Sequence, residues 1–418
     1  MSEYADLLII GAGPAGMAAA LAAASSGARI VLLDDNPLPG GQIWRDGPQA
    51  KLPNPARQMR GRLEACSNIR RHSGTRVIAC AGPKQLLVED PDRGWVIGYD
   101  KLILCTGARE LLLPFPGWTL PGVTGAGGLQ ALIKGGLPVQ DERIVIAGSG
   151  PLLLASAATA KHNGARVLRI AEQACAAAVG GFAAQLPRWP NKLMQSVTLF
   201  DRHYRTGTYV LAALGNERLE GVRLQQQGKI VELECDRLAC GFGLLPNTQL
   251  GQALGCELED QAIAVDAWQT TRRADHYAAG ECTGFGGSEL ALVEGAIAGH
   301  AAVGDLDSAR ALWPRRARWQ GFANALNKAF TLDPQLKSLA QPDTLVCRCE
   351  DVPYAALARH TDWREAKLAS RCGMGACQGR VCGGALQHLF GWQPAAPRPP
   401  FSPARIETLL CLDDTPPA

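Results

Sequence analysis

The chain has 418 residues, more than a usual single domain, so two or three domains with ample core material are expected. Only 19% of residues are charged and the formal net charge is +3; no basic patch or acidic tail points to nucleic acid, and a small molecule is the better expectation. Fourteen cysteines, mostly single, with no signal-peptide pattern ahead of the first apolar run, suit free thiols in a reducing cytoplasm without structural disulfides.

Residues 7–24 form an apolar run of roughly membrane length, but Gly11, Gly13, Pro14 and Gly16 interrupt it, which argues against a transmembrane segment. The run reads instead as a short strand, the turn Gly11-Ala12-Gly13-Pro14-Ala15-Gly16 and an alanine-rich helix. In such a pattern the first glycine permits the turn, the second lets the backbone approach a pyrophosphate, and the third packs helix on strand. The phosphates sit at the helix N-terminus. The next strand, residues 29–33, ends at Asp34, where an acid accepts ribose hydroxyls. Pro39-Gly40-Gly41-Gln42 resembles the loop that passes the flavin in flavoproteins built from two dinucleotide-binding domains. Residues 51–68 are polar and helical in pattern, and residues 77–98 alternate as a small antiparallel piece. The strand 99–105 then runs into Thr106-Gly107-Ala108, a turn that resembles the one closing the first dinucleotide domain in that superfamily.

Residues 143–147 form a second buried strand leading into Gly148-Ser149-Gly150-Pro151-Leu152-Leu153 and another alanine-rich helix, a repeat of the N-terminal pattern. Leu153 replaces the third glycine, which should hold this helix further from its strand. Glu172 follows the next strand as a ribose acid, so Gly148, Gly150 and Glu172 form a candidate second site for NAD(P) or another adenine nucleotide. No cysteine lies between Cys105 and Cys175 and no C-x2-C pair exists, so the dithiol relay of disulfide reductases is absent. Cys235 and Cys240 fall in a strand-like run, residues 230–245, where their odd offset puts them on opposite faces; both read as core. Residues 275–281, ending in Gly280-Glu281, resemble the strand end that reaches the ribityl chain of a flavin. Ser288 starts a helix containing Leu290, whose N-terminus is expected to face the pyrimidine end of the isoalloxazine and favour a reduced, anionic flavin. Residues 304–341 read as a helical connector in which Trp313 and Trp319 are packing groups.

Cys347-Arg348-Cys349 and the later pair Cys377 and Cys382 form a C-x-C and a C-x4-C unit. Four such thiolates suit a 2Fe-2S cluster; structural zinc is the competing reading, against which the tight C-x-C spacing counts. Gly373, Gly375, Gly379 and Gly383 suggest a loop wrapped around something, and Arg348 and Arg380 would offset a cluster's negative charge. Cys372 reads as a neighbour rather than a ligand. Asp351 and Pro353 read as the cap and first turn of a helix reaching Ala369. The proline-rich tail from Pro394 is expected to dock on another subunit or along its own surface. Seven histidines are scattered singly, and no catalytic acid or base is assigned.

Cys347-Arg-Cys-Glu-Asp351 followed by Gly-Met-Gly-x-Cys-Gln-Gly-Arg-Val-Cys382 resembles a cluster-binding domain, similar to bacterioferritin-associated ferredoxin. That domain closes the alpha subunits of bacterial dye-linked amino-acid dehydrogenases: opine oxidases, D-hydroxyproline dehydrogenase and hydrogen cyanide synthase. Simpler members carry C-x2-C as the second pair, so the spacing here points to the dehydrogenase branch. The resemblance spans essentially the whole chain. It implies an α/β two-dinucleotide-binding-domain flavoprotein, a Rossmann-like FAD domain with an inserted NAD(P)-like domain, plus a small C-terminal iron-sulfur domain. The parts expected are 1–125 and 244–303 for FAD, 126–243 inserted, 304–341 connecting, 342–392 for the cluster and 393–418 as tail. It further implies FAD held by Gly11, Ala12, Gly13, Pro14, Ala15, Gly16, Asp34, Asp35, Gly41, Gln42, Thr106, Gly107, Ala108, Gly280, Glu281 and Leu290. The 2Fe-2S cluster falls to Cys347, Cys349, Cys377 and Cys382, with FMN at a subunit interface. The partners implied are a flavin-containing subunit that oxidises the substrate and a small ferredoxin-like subunit. Two rival readings are a self-contained NAD(P)H reductase and a non-enzymatic iron-sulfur interaction module.

Overall fold

A computed structural model describes residues 3–48, 50, 52–393 and 397–412. Two compact units emerge: one from Met1–Arg109, Pro246–Asn324 and Ala396–Ala418, the other from Glu110–Leu245 and Ala325–Ala395.

The first unit starts with β1 (Glu3–Ile10), whose Leu7-Leu8-Ile9-Ile10 end is buried on both faces, as a central parallel strand requires. Helix α1 (Pro14–Ala23) leads to β2 (Ile30–Leu33), which pairs with β1 in parallel. After α2 (Asn54–Ala65) come β3 (Ile69–His72), β4 (Arg76–Gly82), β5 (Gln85–Glu89) and β6 (Gly94–Leu104). The sheet order is β3-β2-β1-β6-β5-β4, and the strand His276–Ala278 joins the end of β6 in parallel. The antiparallel piece expected over residues 77–98 is β4, β5 and the start of β6. The helix expected over residues 51–68 is α2, with Pro55 in its first turn, where a missing N–H costs nothing; Lys51 lies outside the described residues.

Helix α1 is apolar all round because it is buried nearly all round. Its outer neighbour is the helix Gly287–Ala302, whose Gly295 and Gly299 meet backbone of α1 directly. A Cβ at those positions would lie 2.0 Å from the Ala15 oxygen and 2.2 Å from that of Ala19. Small residues thus set the distance between the two helices. The described part of the tail lies along this same unit. In the helix Ile406–Leu410 the Thr408 hydroxyl donates to Glu89 Oε2 at 2.6 Å, and the Arg405 N–H donates to the same oxygen at 2.9 Å. Tail residues 394–396 and 413–418 lie outside the described residues.

The second unit holds a five-stranded parallel sheet in the order Tyr204–Arg205, Arg166–Glu172, Arg143–Gly148, Arg237–Gly241, Val123–Gly125, plus a three-stranded antiparallel sheet. Residues 230–245 are not one strand. Lys229–Glu234 belongs to the antiparallel sheet and Arg237–Gly241 to the parallel one, with the break at Cys235-Asp236. That break cancels the alternation, so both thiols enter one core instead of opposite faces.

In the cysteine-rich part, the strand Leu345–Cys347 pairs antiparallel with Val352–Pro353. The single helix expected up to Ala369 is instead two, Tyr354–Leu357 and Trp363–Ser370. Asp362 interrupts it by capping the second, its carboxylate accepting from the Glu365 N–H at 2.8 Å. Val346, Leu357, Ala366, Cys372, Leu386 and Trp392 form the local core. No described helix is long and apolar enough to cross a membrane.

Candidate functional site

Parallel pairing brings four stretches to one sheet edge. Ile10 is in register with Leu33 and with Leu104, and Leu104 with Ala278. The loops that follow, beginning at Gly11, Asp34, Cys105 and Ala279, therefore leave from the carboxyl ends of adjoining strands, where nucleotides bind in such sheets.

Gly11 takes a positive φ of 103°, and a Cβ there would lie 2.2 Å from the Cys105 oxygen; one on Gly16 would lie 1.7 Å from the Gly11 oxygen. These two glycines hold turn and helix against the strands. Gly13 differs, because the one atom within 4 Å of its would-be Cβ is the Gly41 Cα at 3.8 Å. The Pro39–Gln42 loop is tied in place by the Gly40 N–H donating to the Ala12 oxygen at 2.8 Å. Bare backbone from Gly13 and Gly41 thus faces the start of α1, a cradle that suits a pyrophosphate. Asp34 is buried and accepts from the Ala12 N–H at 2.5 Å and from the Asn36 N–H at 2.7 Å, which orients it beside the cradle. Partial desolvation, then the Asp34 charge, raises the pKa of neighbouring Asp35, which is itself exposed.

Thr106 and Gly107 are pinned by a residue not singled out in the sequence, Asn247. The Thr106 hydroxyl donates to the Asn247 oxygen at 2.6 Å, the Asn247 side-chain amide returns a bond to the Thr106 oxygen at 2.9 Å, and the Asn247 N–H donates to the Gly107 oxygen at 2.9 Å. Gly280 has φ 79° and donates its N–H to Glu294 Oε2 at 3.1 Å. Burial pushes the Glu294 carboxyl up to about 7 and raises Glu281 as well. Leu290 is buried on the same helix as Glu294. The residues present fit FAD: a bare-backbone cradle at a helix start, an oriented acid beside it, and a second loop from the same sheet edge.

In the second unit, Cys347, Arg348, Cys349, Cys377, Val381 and Cys382 surround one cavity of about 320 Å³. Cys347 ends its strand, Cys382 opens the helix Cys382–Phe390, and Cys349 is exposed at the rim. All four expected ligands therefore converge. Cys372 is brought in too: its sulfur and those of Cys347 and Cys382 lie within 4.8 Å of one another, yet it does not line the cavity. The Gly373 N–H donates to the Cys347 sulfur at 3.5 Å. Burial pushes the Cys377 thiol up, but the N–H groups of Val381, Gly379 and Arg380 and the Cys349 thiol outweigh it and hold it below the ordinary thiol value. A neighbouring Cys372 thiol, then burial, raises Cys382. Such a crowd of sulfurs loses its protons to a bound metal centre. The glycines have a packing role as well. Gly373, Gly379 and Gly383 pack on the Trp363 ring, where a Cβ would come within 3.3, 3.0 and 2.7 Å, and Gly375 makes room for Cys349. Arg348 lies over the Trp118 ring at 5.2 Å, whose Nε1 donates to the Leu345 oxygen at 2.6 Å.

The second fingerprint has its own carboxylate. Glu172 is fully buried and accepts from the Gly150 N–H at 2.7 Å, the Ala174 N–H at 2.9 Å and the Tyr204 hydroxyl at 3.2 Å.

Fold and cradle together define a flavoprotein oxidoreductase with two dinucleotide-type domains and a cysteine centre able to bind metal. The chain belongs to the pyridine nucleotide-disulphide oxidoreductase family, whose model matches residues 5–300. It is 31% identical to one of the subunits of opine oxidase from Rhizobium meliloti, over 99% of this chain and 89% of that protein. To hydrogen cyanide synthase subunit HcnB of Pseudomonas protegens it is 32% identical, over 90% of each. The solved structure of L-proline dehydrogenase from P. horikoshii shares the fold, with TM-score 0.67 and 18% identity over 98% of this chain and 80% of that one. The resemblance read from the cysteine motifs thus holds along nearly the whole chain. No disulfide joins any of the fourteen cysteines.

Proposed function

We propose that this chain is the FAD- and 2Fe-2S-containing electron-transfer subunit of a heteromeric dye-linked dehydrogenase. Its substrate is an amino acid, imino acid or opine, as for a D-hydroxyproline dehydrogenase, and the oxidation takes place on a partner subunit. The observation that carries this reading is the convergence of Cys347, Cys349, Cys377 and Cys382 on one cavity, in a chain with a flavin-type cradle. An exposed Cys349 edge favours an electron-carrying cluster over a closed structural zinc site. Two relatives are themselves named as subunits of an oxidase and a synthase, which supports a partner-dependent role.

With both groups bound, two-electron chemistry at a flavin is linked to one-electron transfer by a cluster. The protein's own part is positioning. Gly13 and Gly41 present bare backbone to the pyrophosphate, Asp34 takes the ribose, and the Asn247 clamp keeps the Thr106–Gly107 turn in place. On the other unit, N–H donation to the Cys347 and Cys377 sulfurs stabilises their negative charge.

The test is anaerobic purification of the chain alone and as the complex recovered from its native cells, followed by dye reduction with candidate amino acids. The complex is expected to reduce dye and the chain alone is not, while the chain contains FAD, iron and acid-labile sulfide in fixed proportion. Dye reduction by the isolated chain with an amino acid, or zinc in place of iron, would overturn the proposal.

A further inference from the structure

The two fingerprints differ in what lies above them. At the first, the would-be Cβ of Gly13 meets only the bare Cα of Gly41. At the second, the would-be Cβ of Gly150 meets the Phe330 side chain, with Cγ at 3.9 Å. Phe330 belongs to a short segment that follows the helix Trp313–Ala329 and is bonded down over the turn. The Ser149 hydroxyl donates to the Phe330 oxygen at 3.0 Å. The buried Gln173 amide donates to the Thr331 oxygen at 3.0 Å and to Ser149 Oγ at 3.0 Å, and its own oxygen accepts the Asp333 N–H at 2.9 Å. On the far side the Phe330 ring packs edge-on to Phe182, with ring centroids 5.5 Å apart.

A dinucleotide needs this space. Its pyrophosphate must reach the Gly150 N–H and the start of the helix Leu152–His162, and its ribose must reach Glu172. Glu172 is more deeply buried than Asp34 and, unlike it, is also held by a tyrosine hydroxyl, that of Tyr204. Leu153, also fully buried, fills the place of the third glycine.

We propose that residues 330–333 are a strap seated in the pyrophosphate position of the inserted domain, and that with Ser149 and Gln173 it fixes electron-donor specificity by excluding nicotinamide dinucleotides. This rests on the electron-transfer reading above. The strap leaves the supply of electrons to the partner.

The test uses the FAD-saturated full chain and ADP-ribose, which carries the adenosine, pyrophosphate and ribose but no hydride, with binding read by calorimetry. The wild type is expected to show no saturable binding up to about 1 mM. Gln173→Ala and Phe330→Ala, each loosening the strap, should bind about tenfold tighter or better. Hydrogen exchange of residues 330–333 reports whether the strap has been released in each folded variant. Micromolar binding by the wild type would overturn the proposal. So would a Gln173→Ala strap that stays as protected as in the wild type, or released straps in both variants without any gain in binding. These outcomes are separable from failure of the electron-transfer reading. Tight ADP-ribose binding without flavin reduction by NADH removes only the strap, whereas rapid reduction by NADH removes the reading itself.

Discussion

Glu294 makes the stability of the first unit depend on pH. Its side chain is buried in the helix Gly287–Ala302, accepts the Gly280 N–H at 3.1 Å and the Thr283 hydroxyl at 3.4 Å, and has its pKa pushed up by burial to about 7 from an ordinary 4.5. An acid whose folded pKa is raised stabilises the fold fully below its unfolded pKa, and that stability is lost as pH rises through the folded pKa. Near 1.4 kcal/mol per pH unit, the loss amounts to about 3 kcal/mol across this window. Glu294→Gln keeps an acceptor for the Gly280 N–H and cannot ionise. Its stability should match the wild type below about pH 4 and exceed it by about 3 kcal/mol above about pH 8. Urea unfolding followed by flavin fluorescence release reports on this unit specifically. If wild type and variant lose stability in parallel between the two pH values, the buried, proton-holding carboxylate is not there.

Cys377→Ser should abolish the visible and EPR signals of the cluster while leaving the flavin bound; retention of both signals removes Cys377 from the ligand set. Cys372→Ala should keep the cluster but lower its midpoint potential, because a thiol beside the Cys347 and Cys382 sulfurs is lost. Disappearance of the cluster in that variant would make Cys372 a ligand. Gly299→Ala drives a methyl into the Ala19 oxygen and should destabilise the fold by about 1–3 kcal/mol, read as a lower midpoint for flavin release. An unchanged midpoint would show that the two helices are not held at backbone contact.

Much of the site was legible because it rests on local spacing. The turn from Gly11 to Gly16, the acid at Asp34 and the two cysteine pairs could each be read as units, since their geometry is set within a few residues. What escaped the sequence depends on contacts between distant residues. Asn247 clamps Thr106 from 141 positions away, and nothing in its neighbours marks it. Glu294 looks like one polar position on an ordinary helix until the packing of that helix on α1 buries it. The glycines of the cysteine loop were visible, but their object was not: three of them accommodate Trp363, a residue that sits on another helix. The helix break at Asp362 was legible in principle, since Asp362 and Glu365 carry the spacing of a cap and its reciprocal partner. The strap could not be read at all, because Phe330 and Gly150 are brought together only by the fold.

Electrons are proposed to enter this chain from a partner and not as hydride from a nicotinamide nucleotide. The most direct measurement is an anaerobic titration of the purified chain with NADH, then NADPH, then dithionite, following flavin bleaching by absorbance and the reduced cluster by EPR. Neither nucleotide should reduce either centre, and dithionite should reduce both. Rapid reduction by NADH or NADPH would rule out a partner as the necessary electron source and make the chain a reductase in its own right.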